Sequence, residues 1–294
     1  MKRTVQPIGL LCLLLGLCLC SRVWAQDGAD DIPKKVIKLT DHVFRLTFDF
    51  GLRPNLVISE GSDGLLLVDT GHKDTSDHLK MALKEFESTE LRYIINTHSH
   101  HDHAGANMVG QENTVILGYE NLVHNMKTGM LKAGEGPIQG QKGVVFPNSF
   151  SLDFNGEEIW ILPHPGVHSG QDILIYFTGS KVVHMGDLLL SQSFPAVGPK
   201  VEPYLRVLDL ALEAFPGDVT FVSGHGRELD HKGVRAYKSM LLDTINIIRN
   251  GKESGKTSDD LKKEDVLADF KEYAVYLEFL DTDYWIDAVY NSLK

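Results

Sequence analysis

The chain has 294 residues and a formal charge of −11, from 29 Lys and Arg against 40 Asp and Glu, with 43% hydrophobic residues, three Cys and 13 His. At roughly 100 to 200 residues per domain this is one large domain or two small ones, and the composition excludes a disordered or collagen-like chain. An acidic balance with no basic block argues against nucleic acid or an anionic membrane as the main partner, because both need clustered Lys and Arg.

Lys2 and Arg3 precede an apolar run over residues 8–20, and Val23-Trp24-Ala25 supplies small residues at the two positions a signal peptidase reads. Residues 1–25 are therefore expected to be a secretory signal peptide cleaved after Ala25, and the protein to be periplasmic or secreted. The run is 13 residues long, and a spanning helix needs about 20, so no stable membrane anchor is expected after cleavage. Leu17 and Leu19, rather than small residues, precede Cys18 and Cys20, which disfavours lipidation. Cleavage would remove Cys12, Cys18 and Cys20 together with Lys2, Arg3 and Arg22. The remaining 269 residues (294 less 25) would carry 26 basic and 40 acidic side chains, a net −14, with no disulfide and no thiolate ligand.

Residues 26–34 are polar and read as frayed. Strand-like patterns follow over residues 36–39, 43–48, 55–59 and 65–69, broken by turn residues such as Gly61-Ser62-Asp63-Gly64. Residues 76–87 read as an amphipathic helix with Leu79, Leu83 and Phe86 on one face. A short buried strand over 92–96 delivers a polar loop at Thr97. Further strands are expected over 114–117, 151–154, 158–162, 172–177 and 181–184. A helix is expected over 119–131, with Met126 and Met130 on a core face, and a Gly-rich loop over 133–148. Residues 203–215 read as a helix, 219–222 as a strand, and the chain after Gly226 as mostly helical, with a charged linker over 252–263. Two similar passes of strands and helices predict a layered α/β sandwich with helices outside. The catalytic unit is expected over 26–230. The tail over 231–294 is expected to pack on it as a helical layer, with a dimer surface or an active-site lid as the alternatives.

The densest chemistry lies in Asn96-Thr97-His98-Ser99-His100-His101-Asp102-His103-Ala104-Gly105. Four potential ligands, His98, His100, Asp102 and His103, fall within six residues just after a buried strand. Imidazole and carboxylate suit zinc, and a loop at a strand end can turn several of them toward one point. Alternating positions in an extended segment project one way, and a following turn lets Asp102 and His103 face a second ion.

This string resembles the H-x-H-x-D-H signature of the metallo-β-lactamase superfamily. The resemblance continues in order through Val68-Asp69-Thr70-Gly71, His168 in Pro165-Gly166-Val167-His168-Ser169-Gly170, Asp187 in His184-Met185-Gly186-Asp187 and His225 in Ser223-Gly224-His225-Gly226. It implies an α/β fold, the four-layer αβ/βα sandwich with metals at one edge of the sheets, here carrying a helical C-terminal extension. It also implies two Zn2+ ions per chain, one held by His98, His100 and His168, the other by Asp102, His103 and His225, with Asp187 bridging. The function so implied is that of an exported zinc hydrolase using a metal-bridging hydroxide on an ester, lactone, thioester or amide of a small molecule, with Asp102 catalytic. Cleavage of the β-lactam ring of antibiotics is the alternative activity, and a non-catalytic zinc-storage protein is the alternative of another class. True β-lactamases often carry Cys or Ser where Asp187 stands, with a cation nearby, whereas Leu188-Leu189-Leu190 follows here and no Lys occurs before Lys200. Asp69, His72 and His184 are candidates to orient the ligands. Phe50, Leu52 and Arg53 in a loop between strands, and Phe194 in the segment over 190–202, are candidate pocket residues. The oligomeric state is not indicated.

Overall fold

The computed structural model describes residues 32–88, 90–119, 142–146 and 148–293. Strands β1 (Lys34–Lys38), β2 (Val43–Phe48), β3 (Asn55–Gly61), β4 (Gly64–Val68), β5 (Leu91–Ile95), β6 (Val115–Tyr119) and β7 (Lys142–Phe146) lie side by side in chain order in a seven-stranded sheet. The first four form an antiparallel meander, and from β4 onward the pairs are parallel. A second sheet takes β8 (Phe150–Phe154), β9 (Glu157–His164), β10 (Asp172–Phe177), β11 (Val182–His184) and β12 (Thr220–Val222) in the order β12-β11-β10-β9-β8. Its pairs are antiparallel except β11 with β12.

Both sheets contain strands that are apolar on two faces, and the period of two sorts their side chains into different layers. In β4, Leu66 and Val68 face the second sheet, while Leu65 and Leu67 pack under Leu79 and Leu83 of α1 (Ser76–Leu83). In β10, Ile173, Ile175 and Phe177 face the first sheet. Leu174 and Tyr176 point the other way, against α3 (Glu202–Ala214) and α4 (His231–Glu253). Helix, sheet, sheet and helix thus stack as the four-layer αβ/βα sandwich. A single helical turn, α2 (His101–Ala104), follows β5.

The expected α1 stops four residues early, and Phe86 beyond its end reaches back onto the ring of Phe44, 5.2 Å between centroids. Two expectations are corrected. Part of the expected Gly-rich loop is β7, whose backbone pairs in parallel register with β6. The expected linker over 252–263 instead contains the end of α4 and a further helix, α5 (Ser258–Lys263). A capping box starts α5: Thr257 Oγ1 accepts from Asp260 N–H, and the Asp260 carboxylate accepts from Thr257 N–H. Its charges face water while Leu261 alone enters the core. The expected signal peptide, residues 26–31 and, apart from Tyr119 at the end of β6, the expected helix with Met126 and Met130 lie outside the described residues, while Lys34 of the stretch expected to be frayed opens β1.

The tail shares the core of the second sheet. Leu241, Ile245 and Ile248 of α4 and Trp285, Ile286 and Val289 of α6 (Thr282–Ser292) join Leu174, Val183 and Met185 in one apolar cluster. Trp285 stacks on Phe194 at 5.5 Å and donates its indole N–H to Thr244 Oγ1. Among the described residues no helix is long and apolar enough to cross a membrane. The loops that follow β4, β5, β9, β11 and β12 meet at one edge of the sandwich, which is where the histidines gather.

Candidate metal centre

Asp69, just after β4, has a left-handed backbone (φ 58°), a conformation that a short Asp side chain tolerates better than most. Its fully buried carboxylate turns across to β5. Oδ1 accepts the Thr97 N–H at 2.7 Å, and Oδ2 accepts both the Thr97 hydroxyl at 2.8 Å and the His103 Nδ1–H at 2.7 Å. The hydroxyl has one proton and gives it to Asp69, so in the 2.9 Å contact between Thr97 Oγ1 and His98 Nδ1 the imidazole is the donor. His98 and His103 therefore both carry their protons on Nδ1 and turn a bare Nε2 inward.

Two other histidines are fixed in the same tautomer. His168 donates Nδ1–H to the Ala196 carbonyl at 2.9 Å, and His225 donates Nδ1–H to the Leu52 carbonyl at 2.7 Å. His100 instead presents Nδ1, which lies 3.0 Å from His98 Nε2 and 3.1 Å from His168 Nε2. The Nε2 atoms of His103 and His225 are 3.2 Å apart. Lone pairs directed at one another at such distances repel unless a cation or an added proton sits between them.

The donors form two groups, each with its ligand atoms within 4.8 Å of one another: His98, His100, His168 and Asp187, and then Asp102, His103 and His225. Asp187 belongs to both sides. Its Oδ1 lies 3.2 Å from His103 Nε2 and 3.4 Å from His225 Nε2, and its Oδ2 lies 3.4 Å from His168 Nε2. Oδ1 is buried without a well-directed hydrogen bond. Asp102 Oδ2 is 3.2 Å from His225 Nε2 and 3.5 Å from His103 Nε2. The ion pairs of Asp69, Asp102 and Asp187 found among the described residues are all with histidine, none with Lys or Arg.

The electrostatics follow from that crowding. Burial and the neighbouring His103 hold His98 well below the usual imidazole range, and burial with His168 lowers His100. Burial opposes the charge on Asp102 and Asp187, but His103 and His225 outweigh it and hold both carboxyls below the usual range. Burial also opposes the charge on His103, and there Asp187, Asp102 and Asp69 win and raise it well above the ordinary value. Imidazoles and ionised carboxylates converging without Lys or Arg are the donor set that fits divalent zinc, whose charge would take the place of the proton that the carboxylates favour on His103.

The local chain explains this placement. His100 is still extended (φ −66°, ψ 150°), and the turn α2 that begins at His101 swings Asp102 and His103 toward the second group. Gly224 lies against the Asp187 turn so closely that a Cβ there would fall on Asp187 Oδ1 and within 2.7 Å of the Gly186 carbonyl carbon. Several supports were not evident from sequence. Asp172, buried at the start of β10, accepts the N–H groups of His168 and Ser169 and the Ser169 hydroxyl, closing the loop that carries His168. Asn55 Nδ2 donates to the carbonyls of Ser223 and Gly226, and Arg45 donates to the Gly226 carbonyl, so both hold the loop of His225. A lone Asp opening an apolar strand was the one available signal for Asp172.

Of the expected orienting residues, Asp69 accepts a hydrogen bond from His103 directly, whereas the hydrogen bonds of His72 and His184 among the described residues go elsewhere. His72 Nε2 accepts the Leu52 N–H, which fixes the loop after β2. His184 donates Nε2–H to the Asn55 carbonyl and accepts the Gly186 N–H on Nδ1, so it shapes the backbone turn leading to Asp187. His101 projects outward beside His72.

A cleft of about 250 Å3 opens above the ligands, and its other wall is Leu52, Leu190, Ala196, Leu277, Phe279 and Leu280. Leu52 lines this cleft, while the other three expected pocket residues are not among its lining. Phe194 is fully buried because Trp285 stacks on it. Phe50 packs edge-on against His72. Arg53 turns away: its guanidinium lies 4.8 Å over the Tyr276 ring and donates to the Tyr276 carbonyl, in a separate cleft shared with Lys34, Lys35, Arg45 and Arg227.

Fold and site together define a metallohydrolase-type centre at the edge of an αβ/βα sandwich. The model of the metallo-beta-lactamase superfamily matches residues 51–247, and the chain belongs to that superfamily, whose members are hydrolases. Among solved structures it is similar to a metallo-beta-lactamase from Pontibacter korlensis, at 17% identity and a TM-score of 0.57, over 70% of this chain and 98% of that one. The DIM-1 metallo-beta-lactamase aligns at 19% identity and 0.56, over 71% and 97%. The sec-alkylsulfatase Pisa1 from Pseudomonas sp. aligns at 16% identity and 0.59, over 87% of this chain but only 49% of its own length.

Proposed function

We propose that the chain is an exported hydrolase holding two divalent cations, zinc by the chemistry of the donors, that cleaves an ester, lactone, thioester or amide bond in a small molecule. His98, His100 and His168 would hold one ion, Asp102, His103 and His225 the other, and Asp187 both. The observation that carries this reading is the convergence of five imidazole nitrogens around Asp187, four of them within 4 Å of its two oxygens, with four of the five rings oriented by acceptors outside the cluster. Export rests on the leader-like residues 1–25 of the sequence.

When bound, the ions supply Lewis acidity: they lower the pKa of water toward neutrality and polarise the carbonyl that it attacks. The chain's own residues supply geometry and proton transfer. Asp102, buried and ionised, faces the cleft, where its carboxylate accepts a proton from the attacking water and returns it to the departing oxygen, sulfur or nitrogen. One carbon–oxygen bond forms, the bond to the leaving atom breaks, and a carboxylic acid and a protonated leaving group are released. Asp69 keeps His98 and His103 aimed, and Asp172 keeps the His168 loop closed.

Among the described residues lining this cleft there is no Lys or Arg, so none of them offers a cationic side chain to the carboxylate of a β-lactam antibiotic. The test is a panel of esters, lactones, thioesters and β-lactams with the zinc-loaded protein and its Asp102→Ala variant. Turnover in the first class, abolished by the substitution, is expected. Zinc retention without turnover of any of them would make the protein a zinc store instead.

A further inference from the structure

We propose that the tail segment over residues 275–281 builds an apolar subsite facing the metal centre, and that its ligand is a neutral molecule with a short alkyl or acyl chain beside the scissile carbonyl. The chemistry at the reacting end rests on the hydrolase reading above; the chain-binding wall is argued separately.

The cleft is divided by chemistry. Its floor is made by the histidines and carboxylates, and the described residues of its opposite wall are all apolar. Leu277 and Leu280 pack with Leu190 in a small apolar cluster apart from the three larger cores, with Leu52 and Ala196 against it. Phe279 stands at the mouth with 57% of its surface exposed, so burial does not explain an aromatic residue there.

The wall is held from several sides. Arg53 donates to the Tyr276 carbonyl at 3.2 Å and lies over its ring, the Phe194 N–H donates to the Tyr273 carbonyl, and the Val197 N–H donates to the Tyr284 hydroxyl. A surface fixed before binding loses little freedom when a ligand settles on it. Charge narrows the choice, since no Lys or Arg is among the described residues lining the cleft and Arg53 is turned away, so a charged chain end would meet no partner side chain on this wall. The volume of about 250 Å3 is on the order of eight water-sized groups, room for the reacting group and a short chain.

The test uses the zinc-loaded protein with p-nitrophenyl esters from acetate to octanoate, and calorimetric binding of alkyl hydroxamates with the same chains. Both kcat/KM and affinity are expected to rise about threefold to fourfold per methylene over the first few carbons, then level off. A carboxylate at the chain end should remove the gain. Phe279→Ser, at an exposed position that does not threaten folding, and Leu52→Ser should flatten both slopes. Ester turnover with no dependence on chain length overturns the subsite and leaves the hydrolase reading standing. A slope in hydroxamate binding without ester turnover supports the subsite and overturns the hydrolase reading. A slope that survives in both variants places the chain elsewhere and overturns the proposal.

Discussion

The two ligand groups use the same donor chemistry but differ in how the fold holds them. Asp102, His103 and His225 are all buried, whereas in the other group His100 is exposed and His168 only half-buried. The buried group is braced by Asp69 and by the Leu52 carbonyl. The open group depends on a loop that Asp172 and the Ala196 carbonyl hold shut. On the proposed reading, the buried group would fix an ion and the open one would leave its ion within reach of substrate. Asp187, shared by both, couples the two.

The largest expected effect breaks that coupling. Gly224→Ala forces a methyl onto Asp187 and should weaken both groups at once, lowering turnover at least about a hundredfold. Crowding at this packed turn should also cost roughly 1–3 kcal/mol in stability. Metal analysis and urea unfolding check both effects.

A second pair of substitutions separates the groups. Asp69→Ala removes the partner of His103 and, through Thr97, of His98, so each ion should bind about 10- to 100-fold more weakly. Asp172→Ala reaches only the His168 loop, so a loss of similar size should appear for one ion alone. If Asp172→Ala weakens both ions equally in calorimetry, the two groups are not independently braced.

A smaller effect concerns the shared turn. Burial lowers the pKa of His184, which is neutral in the fold. Below about pH 6.5 the unfolded chain takes up a proton there that the folded chain refuses, so the His184 contribution to stability is present above that pH and is lost on acidification. His184→Gln should cost about 1 kcal/mol near pH 7.5 through weaker hydrogen bonding, and the gap from the unsubstituted protein should narrow toward pH 5. Urea unfolding of the metal-free proteins at the two pH values measures this, and a constant gap would contradict it.

The smallest effect lies outside both groups. Asp281 caps α6 by accepting the Tyr284 N–H at 2.7 Å, so Asp281→Ala should cost about 1 kcal/mol without changing zinc affinity. A fall in affinity would show that the tail braces the metal centre itself.

The members of the two groups could be read from the sequence because their chemistry is dense and local. His98, His100, Asp102 and His103 form one string, and His168, Asp187 and His225 each sit in a short motif beside a strand. The layers were legible for a similar reason, since β2 and β10 follow their apolar patterns to the residue. What escaped was set by distant contacts. Phe194 and Arg53 both read as pocket residues, but Trp285, far along the chain, stacks on Phe194, and Tyr276 takes the Arg53 guanidinium. Asn55, Arg45 and Asp172 are single polar residues whose partners lie on other elements, and no local pattern marks them.

The most direct test of the paired centre is a calorimetric zinc titration of chelator-treated protein, run beside Asp187→Ala. Two equivalents per chain are predicted for the unsubstituted protein, with both bindings weakened in the variant. A single equivalent, or two that are indifferent to Asp187, would contradict a centre in which this carboxylate joins the two groups.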